Sequence, residues 1–313
     1  MHNLAAPLLV TLDPCCSNQY ALRMANSSTP GRVPGLAEIA PRYDALLCDV
    51  WGVLHNGVDS FAPARHALQT FRAGGGTVVL ITNAPRTSPY VIEQIAGLGV
   101  GPECFDAIVT SGDVTRGLLA PHAPARVRHI GPDIHLSLYD GLDLTLASIE
   151  DADIVSCTGL RDDDHETPDD YEAELSALAA RGLPMICANP DIVVERGHQL
   201  IYCAGALAER YAALGGTTSV AGKPHRPIYE AALARVAEIR GAPVANDRVL
   251  AIGDGAPTDL AGAYRQKLDV LFVTGGIHSG HFGPAAQPDA EAVHRFLLAE
   301  GLGATAFLPG LSW

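Results

Sequence analysis

The chain has 313 residues, 48% of them hydrophobic, and its 21 lysines and arginines against 35 aspartates and glutamates give a formal net charge of −14. This length predicts two domains, or one domain with a large insertion. Binding to nucleic acid or to an anionic membrane surface needs clustered cations, so the negative charge argues against both. Any anion that the protein handles is therefore expected to be small and held locally.

The seven cysteines form no C-x-x-C pair, and most of them lie in or beside apolar segments. This usage is typical of reduced, packed thiols and predicts a cytoplasmic protein. No apolar run reaches the ~18 residues that a membrane helix needs, and the opening segment lacks the basic leader of a secretory signal. Residues 1–33 show no clear periodicity and are predicted to be a disordered extension.

An apolar run over 43–48 has the length and composition of a buried parallel strand, and it ends at Asp49. Strands and helices then alternate along the chain: a helix from Pro63, a strand over 77–82, a helix over 88–98, a strand over 107–110 and a short helix to Leu119. This alternation, with short connections, specifies an α/β protein with a doubly wound parallel sheet. An aspartate at the carboxyl end of such a strand lies where these sheets place their chemistry.

A composition break at 121–124 marks the expected start of an inserted segment. Its elements are predicted as strands over 127–130, 153–156 and 184–187 and a helix over 171–181, which is enough for a small α/β cap with its own sheet. The insertion is expected to end near 215–216, where the chain returns through a core strand to Lys223. The predicted domains are thus a core of 34–123 and 217–313 and an inserted cap of 124–216.

After Lys223 an apolar stripe predicts a helix that packs on the core, and it consists of Ile228, Ala232, Val236 and Ile239. A buried strand over 248–253 then leads to Asp254, and a last strand is expected over 269–274.

Four short stretches stand beside apolar runs: Asp49-Val-Trp-Gly-Val, Thr82-Asn83, Gly222-Lys223-Pro224 and Gly253-Asp254-Gly-Ala-Pro-Thr-Asp259. In this order and spacing they resemble the four motifs of the haloacid-dehalogenase superfamily. The long insertion that contains Asn189-Pro190-Asp191 resembles the class IIA branch, and the resemblance covers roughly residues 34–313. Each motif alone occurs by chance, whereas four in order make a specific pattern.

The resemblance implies a phosphatase that acts on a small phosphorylated metabolite. Asp49 would attack phosphorus and form an aspartyl-phosphate. Lys223 would offset the charge of the nucleophile and the phosphate, and Thr82 and Asn83 would bind phosphate oxygens through hydroxyl and backbone N–H groups.

The resemblance also implies a magnesium site. Asp49, Asp254 and the backbone carbonyl of Trp51 would surround Mg²⁺ with hard oxygen ligands. Asp259 would support this site from behind or orient Lys223. Each residue also has an ordinary structural explanation, since aspartates stabilise helix starts and Thr or Asn caps helices. Their coincidence favours the functional interpretation.

Trp51 departs from the family pattern, which has a second aspartate at this position as acid and base. Tryptophan has no titratable group, so three outcomes stay open: a slow phosphatase, one with another proton donor, or one limited to good leaving groups. His55 is the nearby titratable candidate for a replacement. The alternative function is a regulatory protein that binds a phosphorylated ligand with little or no turnover.

Specificity in the family comes from a cap loop over the core. The residues just after Asn189-Pro190-Asp191 are therefore the candidates for substrate contact, namely Glu195, Arg196 and His198. A homodimer formed through the cap is left open.

Overall fold

A computed structural model describes residues 30–196 and 199–313 of the chain. The larger sheet has seven strands, all paired in parallel, and its order is β1-β14-β13-β12-β2-β3-β4. Its strands are β1 (Gly31–Arg32), β2 (Ala45–Asp49), β3 (Thr77–Thr82), β4 (Ala107–Thr110), β12 (Val249–Gly253), β13 (Asp269–Val273) and β14 (Ala306–Leu308).

Both faces of this sheet are buried, because alternate residues of one strand enter different hydrophobic cores. Leu46 and Cys48 of β2 pack on one side, and Ala45 and Leu47 pack on the other. Helices α1 (Ala62–Ala73) and α2 (Ser88–Gly97) cover the first face, and α6 (Arg226–Arg240), α7 (Ala261–Gln266) and α8 (Ala290–Ala299) cover the second. The predicted doubly wound α/β sheet is therefore confirmed.

The smaller sheet has five parallel strands in the order β11-β8-β7-β5-β6. They are β5 (Ala125–Ile130), β6 (Leu144–Leu146), β7 (Ile154–Cys157), β8 (Pro184–Cys187) and β11 (Thr217–Val220). Helix α3 (Ser111–Leu119) leads into this sheet, and α4 (Glu172–Ala180) and α5 (Ala204–Ala213) pack on one of its faces. An antiparallel hairpin of β9 (Val193–Arg196) and β10 (Gln199–Tyr202) follows β8.

The structure corrects three expectations about strands. Strand 217–220 pairs with β8 of the smaller sheet, so it is not the core strand that was expected to lead to Lys223. The strand over 269–274 is not the last, because β14 pairs beside it. Gly31–Arg32 also pairs with β14, so the core sheet includes residues before the predicted start of the core at 34. The strands Gly31–Arg32, Thr217–Val220 and Ala306–Leu308 are too short to show a hydrophobic period that would reveal their partners.

The predicted disordered extension falls mainly on residues 1–29, which lie outside the described residues. Within the described part of the chain, no helix combines the length and the apolar character that crossing a membrane requires.

Candidate active site

Three polar side chains gather at one edge of the larger sheet because their strands are neighbours. Asp49 ends β2, Asp254 directly follows β12, and Thr82 ends β3, which pairs with β2 on the other side. Strand order reverses here, since the chain proceeds from β2 to β3 and β4 in one direction and from β12 to β13 in the other. Such a switch point leaves a crevice at the carboxyl ends of the strands.

Lys223 reaches this edge from the smaller sheet, three residues after β11. Its ammonium nitrogen lies 2.5 Å from Oδ1 of Asp49 and 2.8 Å from Oδ1 of Asp259, and its side chain is only 3% exposed. Burial alone would lower the pKa of Lys223, but the carboxylates of Asp259 and Asp49 outweigh it and raise this pKa above the usual value. The lysine is therefore a fixed cation.

Asp259 lies within one turn of helical backbone over Ala256–Leu260. Its Oδ1 accepts the hydrogen bond from Lys223, and its Oδ2 accepts one from the backbone N–H of Gly255 at 3.1 Å. Both oxygens are thus engaged, which fixes the position of the lysine between Asp259 and Asp49.

The site holds more negative than positive charge. Asp49, Asp254 and Asp259 are all buried, and one oxygen from each lies within 4.8 Å of the others. Burial, followed by the nearby charge of Asp259, raises the pKa of Asp49 well above its usual value and that of Asp254 to about 7. With all three carboxyl groups ionised against one ammonium, two negative charges would be uncompensated, which is the charge that a divalent cation would neutralise.

The backbone around Asp254 also suits a cation site. Oδ2 of Asp254 accepts a hydrogen bond from the N–H of Ile277 at 2.9 Å, so the carboxylate has a fixed orientation. Gly52 and Gly276 lie against this carboxylate, and a Cβ added to either would collide with it. The carbonyl of Trp51 belongs to the peptide that enters Gly52, the residue whose added Cβ would meet the carboxylate of Asp254. These residues fit a divalent metal.

Replacing Gly276 with alanine is expected to weaken divalent-cation binding by ~10–100-fold, the usual cost of disturbing a group that orients a ligand. The added methyl group would push Asp254 away from its hydrogen bond with Ile277. Calorimetric titration of the purified protein with Mg²⁺ would measure this. The matched control is Gly280→Ala, because a Cβ there meets nothing within 4 Å. Equal cation affinity in both variants would contradict the assigned role of Asp254.

Asn83 joins the two sheets. Its side-chain oxygen accepts the backbone N–H of Lys223 at 2.7 Å, and its Nδ2 donates to the carbonyl of Lys223 at 3.2 Å and to Oδ1 of Asp191 at 2.9 Å. The side-chain amide is therefore committed to protein contacts, and phosphate binding by the backbone N–H of Asn83 stays a prediction. The hydroxyl of Thr82 accepts a hydrogen bond from the N–H of Ala84 at 3.2 Å, and it can still donate.

Trp51 packs within its own loop. Its ring meets the ring of His55 edge-on at 5.1 Å between centroids, and a Cβ on Gly57 would lie 2.6 Å from Cη2 of the indole. His55 is 2% exposed, its Nδ1 accepts the N–H of Gly57 at 2.9 Å, and burial lowers its pKa to about 4. His55 is consequently uncharged at neutral pH and serves to pack the loop.

The family model for haloacid dehalogenase-like hydrolases matches residues 46–145, and a related model, described as HAD-hydrolase-like, matches residues 220–297. A crystal structure described as a haloacid dehalogenase-like hydrolase from Brucella suis 1330 is 51% identical over 90% of this chain and 99% of that chain, with a TM-score of 0.79. The chain belongs to the haloacid dehalogenase-like hydrolases. The matches extend over both sheets, and together with NagD from E. coli K-12, which is similar in fold, they indicate class IIA of this superfamily.

Two further structures resemble this hydrolase. A glycerol phosphate phosphatase from Mycobacterium tuberculosis, in complex with magnesium, is 28% identical over 82% of this chain and 78% of that chain, with a TM-score of 0.61. A possible sugar phosphatase from Cytophaga hutchinsonii is 18% identical over 90% of this chain and 100% of that chain, with a TM-score of 0.73, and shows the shared fold. No curated protein sequence matches the chain significantly.

The candidates for substrate contact are placed only in part. Arg196 ends β9 and is exposed, and it forms ion pairs with Asp163 at 2.8 Å and Asp164 at 3.5 Å. Glu195 pairs through its backbone with Leu200 across the hairpin. His198 lies outside the described residues. The roles of these three residues in this hydrolase stay predictions.

Sequence reasoning missed Asp191 as a candidate site residue. It was noted only as part of a stretch typical of the class IIA branch, yet the structure bonds it to Asn83 at the site. A signal was present, because Asp191 lies four residues after the end of the apolar strand β8, while Asp254 directly follows β12. A carboxylate just beyond the carboxyl end of a parallel strand is a candidate by the same rule.

Proposed function

We propose that this hydrolase is a Mg²⁺-dependent phosphatase that removes the phosphate of a small phosphorylated metabolite through an aspartyl-phosphate on Asp49. The observation that carries the proposal is one buried cluster in which Asp49 touches Lys223 at 2.5 Å beside the carboxylates of Asp254 and Asp259. Phosphoryl transfer needs a nucleophile, a fixed countercharge and a cation site together, and this cluster offers all three.

Asp49 is held as a nucleophile should be. Its Oδ1 accepts hydrogen bonds from the backbone N–H of Val50 at 2.8 Å and from Lys223. This leaves Oδ2 with lone pairs for attack on phosphorus. Lys223 would offset the charge that otherwise repels an incoming phosphate, and the hydroxyl of Thr82 and the backbone N–H of Asn83 would bind its oxygens.

Mg²⁺ is the cation that we assign to the site. Asp49, Asp254 and the backbone carbonyl of Trp51 would hold it, since all three offer the hard oxygen atoms that Mg²⁺ prefers. When bound, it would neutralise the charge on the phosphoryl oxygens. The magnesium complex of the 28% identical glycerol phosphate phosphatase supports this choice of metal and of reaction.

Chelation is expected to abolish turnover. We expect the purified protein to release phosphate from p-nitrophenyl phosphate with Mg²⁺ and to lose at least ~10²-fold in rate with EDTA, because two buried negative charges would then repel the substrate. Asp254→Asn should lower the rate even at saturating Mg²⁺. A panel of phosphorylated metabolites, tested in the same way, would identify the natural class of substrate.

The second candidate function is favoured by Trp51. A protein of this fold without the usual acid could bind a phosphorylated ligand and regulate a partner with little turnover. Failure of the folded wild-type protein to release phosphate from any ester of the panel, combined with measurable binding of one of them, would support that function and contradict the phosphatase.

A further inference from the structure

We propose that Asp191 is the general acid and base of this hydrolase: it donates a proton to the leaving oxygen and then accepts one from the attacking water. The proposal rests on the phosphatase function above. The geometry that points to it is a carboxylate of the cap that is bonded to the core loop beside the nucleophile.

The position that carries the acid and base in the family cannot supply the proton here. Trp51 has no titratable group, and its ring is packed against His55 and Gly57. His55 cannot substitute, because its pKa is lowered to about 4 and its Nδ1 already accepts a hydrogen bond. A proton for a poor leaving group must therefore come from another element.

The other carboxylates of the cluster already have hydrogen-bond partners or other roles. Asp259 accepts hydrogen bonds on both oxygens, from Lys223 and from Gly255. Asp254 is the expected cation ligand, and Asp49 is the nucleophile. Among the residues that the structure describes around this cluster, Asp191 is the carboxylate that remains available.

Asp191 lies close to the backbone of Lys223, because both accept a hydrogen bond from Asn83. Nδ2 of Asn83 donates both to Oδ1 of Asp191 at 2.9 Å and to the carbonyl of Lys223 at 3.2 Å, so a single nitrogen separates the two residues. Pro190 lies against Gly222, the residue before Lys223, since a Cβ added to Gly222 would lie 2.6 Å from Cδ of Pro190. Asp191 is only partly buried, and it retains a surface that a substrate could reach.

The direction of attack places the leaving oxygen on the side of the cap. In phosphoryl transfer the attacking and leaving oxygens lie roughly in line on opposite sides of phosphorus. Asp49 attacks from the edge of the core sheet, so the leaving oxygen points away from that sheet and towards the cap. Asp191 belongs to the cap segment that follows β8, which is on the side where the proton is needed.

The surroundings of Asp191 favour its protonated form. Burial raises its pKa above the usual value, and the charge of Asp259 adds to this, while the hydrogen bond from Asn83 and the charge of Lys223 act in the opposite direction. The other titratable groups nearby are the thiols of Cys187 and Cys203, whose own pKa values burial raises, so they stay neutral. A carboxyl group with a raised pKa keeps its proton at higher pH, as a donor must.

The reaction has two chemical steps. Asp49 Oδ2 forms a bond to phosphorus, the bond from phosphorus to the ester oxygen breaks, and that oxygen takes the proton of Asp191, which becomes a carboxylate. Water then attacks phosphorus, the bond to Asp49 breaks, and the carboxylate of Asp191 takes the proton of the water. Inorganic phosphate leaves, and both aspartates return to their starting states.

The test is Asp191→Asn, because asparagine keeps an oxygen that can accept the hydrogen bond from Asn83 but cannot carry the proton. With Mg²⁺, we expect glycerol phosphate turnover to fall by ~10²–10⁴-fold, the usual contribution of general acid and base catalysis. The rapid first release of p-nitrophenolate from p-nitrophenyl phosphate should stay near the wild-type rate, since this group leaves without a proton. In the wild type, glycerol phosphate turnover should fall at high pH, where Asp191 loses its proton. The residual turnover of Asp191→Asn should not show this fall.

A second variant separates proton transfer from positioning. Adding Trp51→Asp to Asp191→Asn should restore glycerol phosphate turnover, because it returns a carboxyl group to the usual position. Asp153→Asn is the control and should behave as the wild type. Asp153 pairs with Arg126 just before β7, at the edge of the cap sheet opposite to the carboxyl end of β8.

Three outcomes would overturn the proposal. Unchanged glycerol phosphate turnover in Asp191→Asn would show that the proton comes from elsewhere. An equal loss of the first p-nitrophenolate release would show that Asp191 only positions Asn83 and Lys223. Absence of phosphate release from the wild-type protein would refute the phosphatase function itself, and with it any acid for the reaction.

Discussion

Replacing Asp49 with asparagine should reduce phosphate release by ~10⁴-fold or more, because the amide cannot attack phosphorus and the two-step route is lost. Asparagine has the same shape, and its oxygen can still accept the hydrogen bonds from Val50 and Lys223. The loss would therefore reflect chemistry and not a misplaced loop. Phosphate release from p-nitrophenyl phosphate, with Mg²⁺ and in the linear phase, would measure it.

The same substitution should make the metal-free protein more stable. Burial and the neighbouring aspartates raise the pKa of Asp49 in the folded state, so this carboxyl lowers the stability of the fold as the pH rises above its unfolded pKa, and the loss is complete above its folded pKa. Asparagine removes that penalty at neutral pH. Asp44→Asn, at the opposite end of β2, is the control: it removes a surface pair with Arg248, and both activity and stability should change little, by ~0–1 kcal/mol in the latter case. Residual activity near the wild-type rate in Asp49→Asn would contradict the aspartyl-phosphate.

The core of the molecule could be predicted from sequence because its strands are long, apolar and bounded by clear turns. The strands over 77–82 and 107–110 match the prediction residue for residue. Asp49, Thr82 and Asp254 follow from the same rule, since the carboxyl ends of parallel strands meet at one edge. Their convergence at the switch point therefore needed no knowledge of tertiary contacts.

The cap was less predictable, for a physical reason. Strand β11 has four residues, Thr217–Val220, and its side chains are mostly polar, so nothing in the sequence states which sheet it joins. Helix α5 and the hairpin of β9 and β10 were not predicted at all, and the stretches that form them lack a clear period. Pairing of such short elements is decided by their neighbours in space.

This misassigned strand matters for the site. Because β11 belongs to the cap sheet, the backbone that carries Lys223 enters the core from the cap, at the same point where Asn83 bonds to Asp191. The loop that carries Asn83, the lysine and the cap therefore form one connected unit. A change in the position of the cap relative to the core would therefore also move the backbone of Lys223.

The stability of this unit in the absence of metal depends on Lys223. Replacing Lys223 with methionine, which has a similar length and no charge, would leave Asp49, Asp254 and Asp259 buried together without a cation. Removing one partner of a buried ion pair typically costs ~3–5 kcal/mol, because the charge that remains is neither solvated nor paired. We expect a loss of this size in the free energy of unfolding, measured by urea titration in EDTA, and no detectable turnover.

A double variant shows whether charge is the cause. Adding Asp49→Asn to Lys223→Met removes one of the stranded carboxylates, so the pair of substitutions should cost less than Lys223→Met alone, with a coupling of ~1–3 kcal/mol. Lys267→Met, at an exposed lysine, is the control and should be neutral. Mg²⁺ should recover part of the stability of Lys223→Met, because a divalent cation can replace the missing positive charge. A loss that is the same with and without Asp49→Asn and Mg²⁺ would mean that the lysine contributes through packing, and the net negative charge would then no longer support the proposed metal site.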